Sequence, residues 1–141
     1  ERGIKKMLFE SNKEKGRAGL SKAIAWFGCN GYTVSIPLND TQWYDFIAEK
    51  DGIFYTIQCK ATDTKDNIVS LRSTGGTKGS VYDNVNNYPL DFLFCINKNC
   101  MWNIPVKAIK EYGIKTQITL MEKPHTTGGK YFDTFQYLVQ F

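Results

Sequence analysis

Asp45, Gln58 and Lys60 are the residues of this sequence whose types and spacing suit chemistry. Asp45 lies in W-Y-D-F-I-A-E-K-D-G (43–52), and Gln58 and Lys60 lie in I-F-Y-T-I-Q-C-K-A-T (53–62). A carboxylate beside an amide oxygen can hold a hard divalent cation such as magnesium, which takes oxygen ligands, and the backbone carbonyl of Cys59 would add a third oxygen. A lysine ammonium next to that cation can orient a nucleophilic water or stabilise charge building on a phosphate. The same three types are also common on the solvent side of any hairpin, so spacing alone leaves a plain surface reading open.

The elements around these residues decide whether they meet. D-G at 51–52 is a hairpin signal between strands expected over 43–50 and 53–61. Side chains alternate along a strand, so Gln58 and Lys60 share one face with Thr56 and Thr62, while Ile57, Cys59 and Ala61 face the core. The hairpin register can set Asp45 opposite or diagonal to Gln58. Ahead of the hairpin, S-N-K-E (11–14) matches a capping box with Ser11 as N-cap. Leu20, Ala23, Ile24 and Phe27 then form one apolar helical face, and N-G at 30–31 stops the helix. A strand is expected over 32–38, near an edge because of Pro37.

Further strands are expected over 68–73, 91–97 and 100–105, the last two paired over N-K-N. Residues 74–88 read as a mobile loop with one helical turn. A short helix spans 106–112, closed by Gly113, and two last strands lie around 116–121 and 131–139. The order predicts a single domain over 1–141, α/β, with a mixed central sheet and flanking helices.

K-G-R-A-G-L (15–20) on the helix, P-L (37–38) followed by Y-D-F-I (44–47), and then I-Q-C-K (57–60) together resemble the PD-(D/E)XK nuclease superfamily. Asp45 matches its metal-binding aspartate and Lys60 its lysine, while Gln58 replaces the usual second acid. That Q-x-K variant resembles a cyanobacterial branch of homing endonucleases encoded by group I introns, and D-F-L-F-C-I-N with M-W-N-I-P-V resembles the paired strands of that branch. Archaeal Holliday junction resolvases share the K-G-x-x-x-E helix but carry a Glu before the lysine. The resemblance covers most of residues 13–110. It implies a restriction-endonuclease-like core and a magnesium-dependent endodeoxyribonuclease acting on duplex DNA, with manganese able to substitute and a symmetric dimer or tetramer. Asp45, Gln58 and the Cys59 carbonyl would hold the metal, and Lys60 would act on water or phosphate. The pattern departs at Leu20, which stands where K-G-x-x-x-E has its metal-associated glutamate. A leucine cannot bind a cation, so Leu20 either merely completes the apolar stripe with Ala23, Ile24 and Phe27, or marks an inactivated nuclease, natural or engineered, or goes with a ligand shifted to Glu14 or Glu10. The alternatives to a homing-type endonuclease are a Holliday junction resolvase and a DNA-binding module that does not cleave.

A DNA partner needs phosphate and base contacts. Lys13, Lys15 and Arg17 cluster at the helix start, where backbone amides also favour anions. Arg72, Lys78 and the glycines at 75, 76 and 79 suit a phosphate backbone, and Asn84, Asn86 and Asn87 suit adenine edges in a major groove. Tyr82 and Tyr88 are expected to pack.

The net charge of +4 permits such a partner without demanding it. Nine Phe, eight Tyr and three Trp supply a core without disulfides. Cys29, Cys59, Cys95 and Cys100 lack metal-site spacing and read as buried free thiols of a reducing cytosol, with a Cys95–Cys100 bridge the lesser alternative. No P-loop, G-x-S-x-G or H-E-x-x-H pattern occurs, so neither an organic cofactor nor nucleotide chemistry is indicated. His125, in K-P-H-T-T-G-G, reads as a loop residue. No apolar run reaches membrane-spanning length, and the charged start reads as no secretory signal. A first residue other than Met is expected of a trimmed chain or a piece of a longer one.

Overall fold

The computed structural model describes residues 11–39, 42–75, 80–82, 89–114, 116–126 and 129–141, with the backbone alone at 73–75 and 80–82. Helix α1 (Asn12–Cys29) begins where expected, because the Ser11 hydroxyl accepts a hydrogen bond from the Glu14 N–H at 3.2 Å. It ends at Asn30 and Gly31, where Gly31 takes the left-handed φ of 84°. Ala23 and Phe27 of the apolar face are fully buried, and Leu20 and Ile24 flank them half-buried.

The central sheet has six strands in the order β1-β2-β3-β7-β8-β10. These are β1 (Thr33–Ser35), β2 (Phe46–Lys50), β3 (Ile53–Ala61), β7 (Phe92–Ile96), β8 (Met101–Pro105) and β10 (Leu138–Val139). All neighbours are antiparallel except β3 and β7. The β2–β3 turn has Asp51 at φ 53° and Gly52 at φ 80°, the geometry that D-G prefers. Helix α2 (Val106–Tyr112) follows β8 and closes on Gly113 at φ 92°. Outside the main sheet, β4 (Ile68–Ser70) pairs with β9 (Gln117–Thr119), and β5 (Ser73–Gly75) pairs with β6 (Ser80–Tyr82).

Both faces of the sheet are covered. Phe46, Ile57, Phe94 and Ile96 join α1 in one core, while Leu93, Cys95, Trp102 and Ile104 join Val69, Ile118 and α2 in the other. The face expected to be polar on β3 is therefore also interior at its far end, where Gln58 is 7% and Thr62 4% exposed. A parallel pair in mid-sheet is characteristically covered on both sides, and that outweighed the polar alternation.

Other departures are local. The first two strands begin late or end early, because Pro37 and the Trp43–Tyr44 corner leave the ladder. Backbone at 73–75 and 80–82, nearly all of it within the stretch read as a loop, forms a paired ribbon, and the strand expected over 68–73 is β4 over Ile68–Ser70 only. Most of 131–139 is not strand: the Asp133 carboxylate accepts from the Phe135 N–H at 3.0 Å and starts a 3-10 turn over Thr134–Tyr137. All four thiols are free, and Cys29, the last residue of α1, is exposed rather than buried. Among the described residues no helix is long and apolar enough to cross a membrane.

Candidate active site

The β2–β3 hairpin places Asp45 at a corner of the sheet. The last β2–β3 pair is Phe46 with Ile57, whereas β3 runs on to Ala61 against β7. From Gln58 onward, the edge of β3 that faced β2 has no strand beside it among the described residues. Asp45 sits at that opening. Its N–H donates to the Ile57 carbonyl at 2.8 Å, and its Oδ2 accepts from the Cys59 N–H at 2.7 Å. The carboxylate thus does for one residue what the missing strand would do. In an extended chain the N–H and C=O of one residue point to the same edge, so the Cys59 carbonyl faces this opening too. The carboxylate meets Cys59 rather than Gln58, whose side chain lies on the buried face beside Leu93.

Lys60 comes to the corner from that other face. Its ammonium donates to the Arg72 carbonyl at 2.7 Å. The carbonyl is well anchored: the Arg72 N–H donates to the Ser70 hydroxyl at 3.2 Å, the Leu71 N–H donates to the Thr116 carbonyl at 2.8 Å, and the Leu71 side chain is 1% exposed. Burial raises the pKa of Asp45 above the usual carboxylate value, against the Cys59 N–H and the Lys60 charge, which lower it. Burial likewise lowers Lys60, and the Asp45 charge resists. The two groups therefore feel one another, each paying desolvation that the other partly offsets. Burial, the Asp45 charge and Cys95 push the Cys59 thiol well up, so it is a protonated wall of the site rather than a nucleophile.

Helix α1 supplies the facing wall. Lys13, Gly16, Arg17 and Leu20 recur at helical spacing and line, with Asp45 and Cys59, a cleft of about 480 Å3. Leu20 therefore does stand in the cleft with Asp45, half-buried at the border of the core. Lys15 points elsewhere, to an ion pair with Asp63 at 3.3 Å. Glu14 is not among the cleft-lining residues, and Glu10 lies outside the described residues. Arg72 adjoins Lys60 through its backbone. Lys78, Asn84, Asn86, Asn87 and Tyr88 also lie outside the described residues, as does the side chain of Tyr82. His125 stacks on Tyr131 with ring centroids 3.9 Å apart and takes no part in the cleft. From sequence Gly16 figured only as the glycine of the K-G-x-x-x-E pattern, not as a site residue, and Asp63 was not singled out. Stepping by three and four from Lys13 to Leu20 finds Gly16, but nothing local signals the Lys15–Asp63 pair, whose members are far apart in the chain.

The donors at the opening fit a hard cation. Oδ1 of Asp45 has no hydrogen-bond partner among the described residues, and the Cys59 carbonyl faces the same gap. Among the described residues no three His, Cys, Asp or Glu side chains converge. One carboxylate and one carbonyl suit an ion such as magnesium, which keeps several waters and is completed by substrate phosphate.

Comparison with known proteins agrees with this geometry. No curated protein matches the chain. A bacterial homing endonuclease, I-Ssp6803I, has a similar solved structure, with a TM-score of 0.67 at 24% identity over 92% of this chain and 88% of that one. That likeness is one of fold. Residues 10–138 match the family model described as PD-(D/E)XK endonuclease, and the chain belongs to that family.

Proposed function

We propose that this chain is a metal-dependent endonuclease that hydrolyses phosphodiester bonds in duplex DNA, in the manner of a homing enzyme. The observation that carries the reading is the Asp45 carboxylate held on the Cys59 N–H at the open edge of β3, near enough to Lys60 for the two charges to act on one another, beside a cleft lined by Lys13 and Arg17. Asp45 and the Cys59 carbonyl would hold a magnesium ion, with manganese as its substitute and the Gln58 amide as a further oxygen. When bound, the ion supplies Lewis-acid polarisation of a phosphoryl oxygen and a more acidic water. Lys60 has three N–H donors. The Arg72 carbonyl takes one, which leaves others for the attacking water or for charge on the phosphate. Lys13 and Arg17 hold the phosphodiester chain, and Arg72, Lys78 and the asparagines at 84, 86 and 87 extend the contact. The whole of 1–141 acts as one nuclease domain in a dimer or tetramer.

Leu20 favours a second reading, a DNA-binding module that does not cleave, because it puts a methyl-rich side chain where the resemblance calls for a carboxylate. Plasmid nicking with magnesium decides between them. The wild-type chain is expected to nick, and Lys60→Ala to lose about 10²-fold or more of that activity while binding DNA within a few-fold of wild type. A wild-type chain that binds duplex DNA and never nicks it establishes the binding module. Preference for a four-way junction over linear duplex would move the substrate to the resolvase class.

A further inference from the structure

Three glycines interrupt α1, and glycine weakens a helix relative to alanine. Gly19 has a packing reason: a Cβ there would stand 3.4 Å from the Ala61 Cβ and 3.6 Å from Ile96 Cδ1, where the helix crosses β3 and β7. Gly16 has no such reason. A Cβ built on it meets nothing within 4 Å, and its backbone is not in the left-handed region. Gly28 is equally unconstrained, but it is exposed near the far end of the helix, about 18 Å along the axis from Gly16.

Gly16 differs from Gly28 in where it lies. It is the middle of the stripe that faces Asp45, between Lys13 and Arg17 and one turn before Leu20. Residues four apart on a helix have Cβ atoms about 6 Å apart, close to the spacing of successive phosphates along a nucleic-acid strand. A bare backbone between two such cations lets a strand lie directly on the helix while both ammonium and guanidinium reach it from the sides.

We propose that Gly16 is a substrate-contact position: the sugar–phosphate backbone of the strand to be cut packs on the uncovered helix at Gly16, gripped by Lys13 and Arg17 and held facing Asp45. This rests on the DNA-endonuclease reading and deepens it, because it names the protein surface against which the strand is positioned.

The test compares wild type, Gly16→Ala and, as control, Gly28→Ala in the full chain. Melting temperature, affinity for a duplex oligonucleotide without magnesium, and plasmid nicking with magnesium are measured. Both substitutions should raise the melting temperature, by about 2–5 °C. Gly16→Ala alone should weaken duplex binding, by about tenfold or more, with nicking reduced in parallel, as expected when a close contact is blocked. Gly28→Ala should bind and nick as wild type does. Wild-type affinity in Gly16→Ala overturns the contact and leaves the nuclease reading untouched. A lower melting temperature for Gly16→Ala shows a structural glycine and also overturns it. A wild-type chain with no affinity for duplex DNA removes the underlying reading, and the contact goes with it.

Discussion

Burial works against the charged form of Asp45. Its folded pKa lies above the unfolded 3.8, chiefly through burial. The sign follows from linkage: the protonated form contributes stability that is full below 3.8 and is lost as the pH rises through the folded value. Above that value the charged carboxylate makes the fold less stable than a neutral isostere would. Asp45→Asn keeps an oxygen for the Cys59 N–H, so at pH 7 the variant should melt no lower than wild type, and the difference should shrink as the pH falls toward 4. Magnesium should raise the melting temperature of wild type and not of the variant. A clear loss of stability in Asp45→Asn at pH 7 would mean that the charge holds the hairpin end together instead of waiting for a cation. Lys60 has the opposite slope: its pKa is lowered from 10.5, so stability rises with pH between the folded value and 10.5.

At the level of elements, α1 and the β2–β3 hairpin bring the site together, and each offers a test. Leu20 borders the cleft rather than the deep core, so Leu20→Glu should cost only about 1–2 kcal/mol without metal. Magnesium should recover part of that loss, and nicking should rise. An unfolded variant at every magnesium concentration would show that the position tolerates no carboxylate. The turn sets the register that delivers Asp45 to Cys59. Gly52 has open space around it but holds φ 80°, which an L side chain adopts only with backbone strain, so Gly52→Ala should lower stability by about 1–2 kcal/mol by denaturant titration. Unchanged stability would mean that the turn relaxes and the register is held elsewhere.

These elements were also the most legible parts of the sequence. The capping serine, D-G, the apolar run of 53–61 and the closing Gly113 are local signals with local causes, and α1, β3 and α2 appear where those signals put them. The site was legible as residue types and not as geometry. Alternation gave the face of Gln58 and Lys60 correctly, but what covers that face comes from β4, β9 and α2, distant in the chain. The turn of the Asp45 carboxylate onto a backbone N–H also follows from where β2 stops, and no pattern within 43–62 marks that point.

On the scale of the whole molecule, a charge of +4 is modest, and its arrangement carries the argument. Lys13 and Arg17 face the cleft, while Lys15 is committed to Asp63. Each phosphate neutralised contributes a slope of about −0.9 to the log–log dependence of affinity on salt, so an oligomer with several contacts per subunit should exceed about −4. Lys15→Ala should change that slope less than Arg17→Ala, measured by fluorescence anisotropy across a salt series. A flat response would remove nucleic acid from the partners of this fold.

The parallel pairing of β3 with β7 also has a meaning in time. Helix α1 and the β2–β3 hairpin involve neighbours in sequence and can form as soon as they are synthesised, whereas β3 acquires its other neighbour only after residues 62–91 have been made and looped back. Until then Asp45 can already touch Cys59, but the sheet around Lys60 is half built and the Leu71–Thr116 anchor of its carbonyl partner does not exist. A growing chain therefore carries Asp45, Cys59 and Lys60 long before it has the corner they share. That corner is completed only when the second half of the molecule packs against the first.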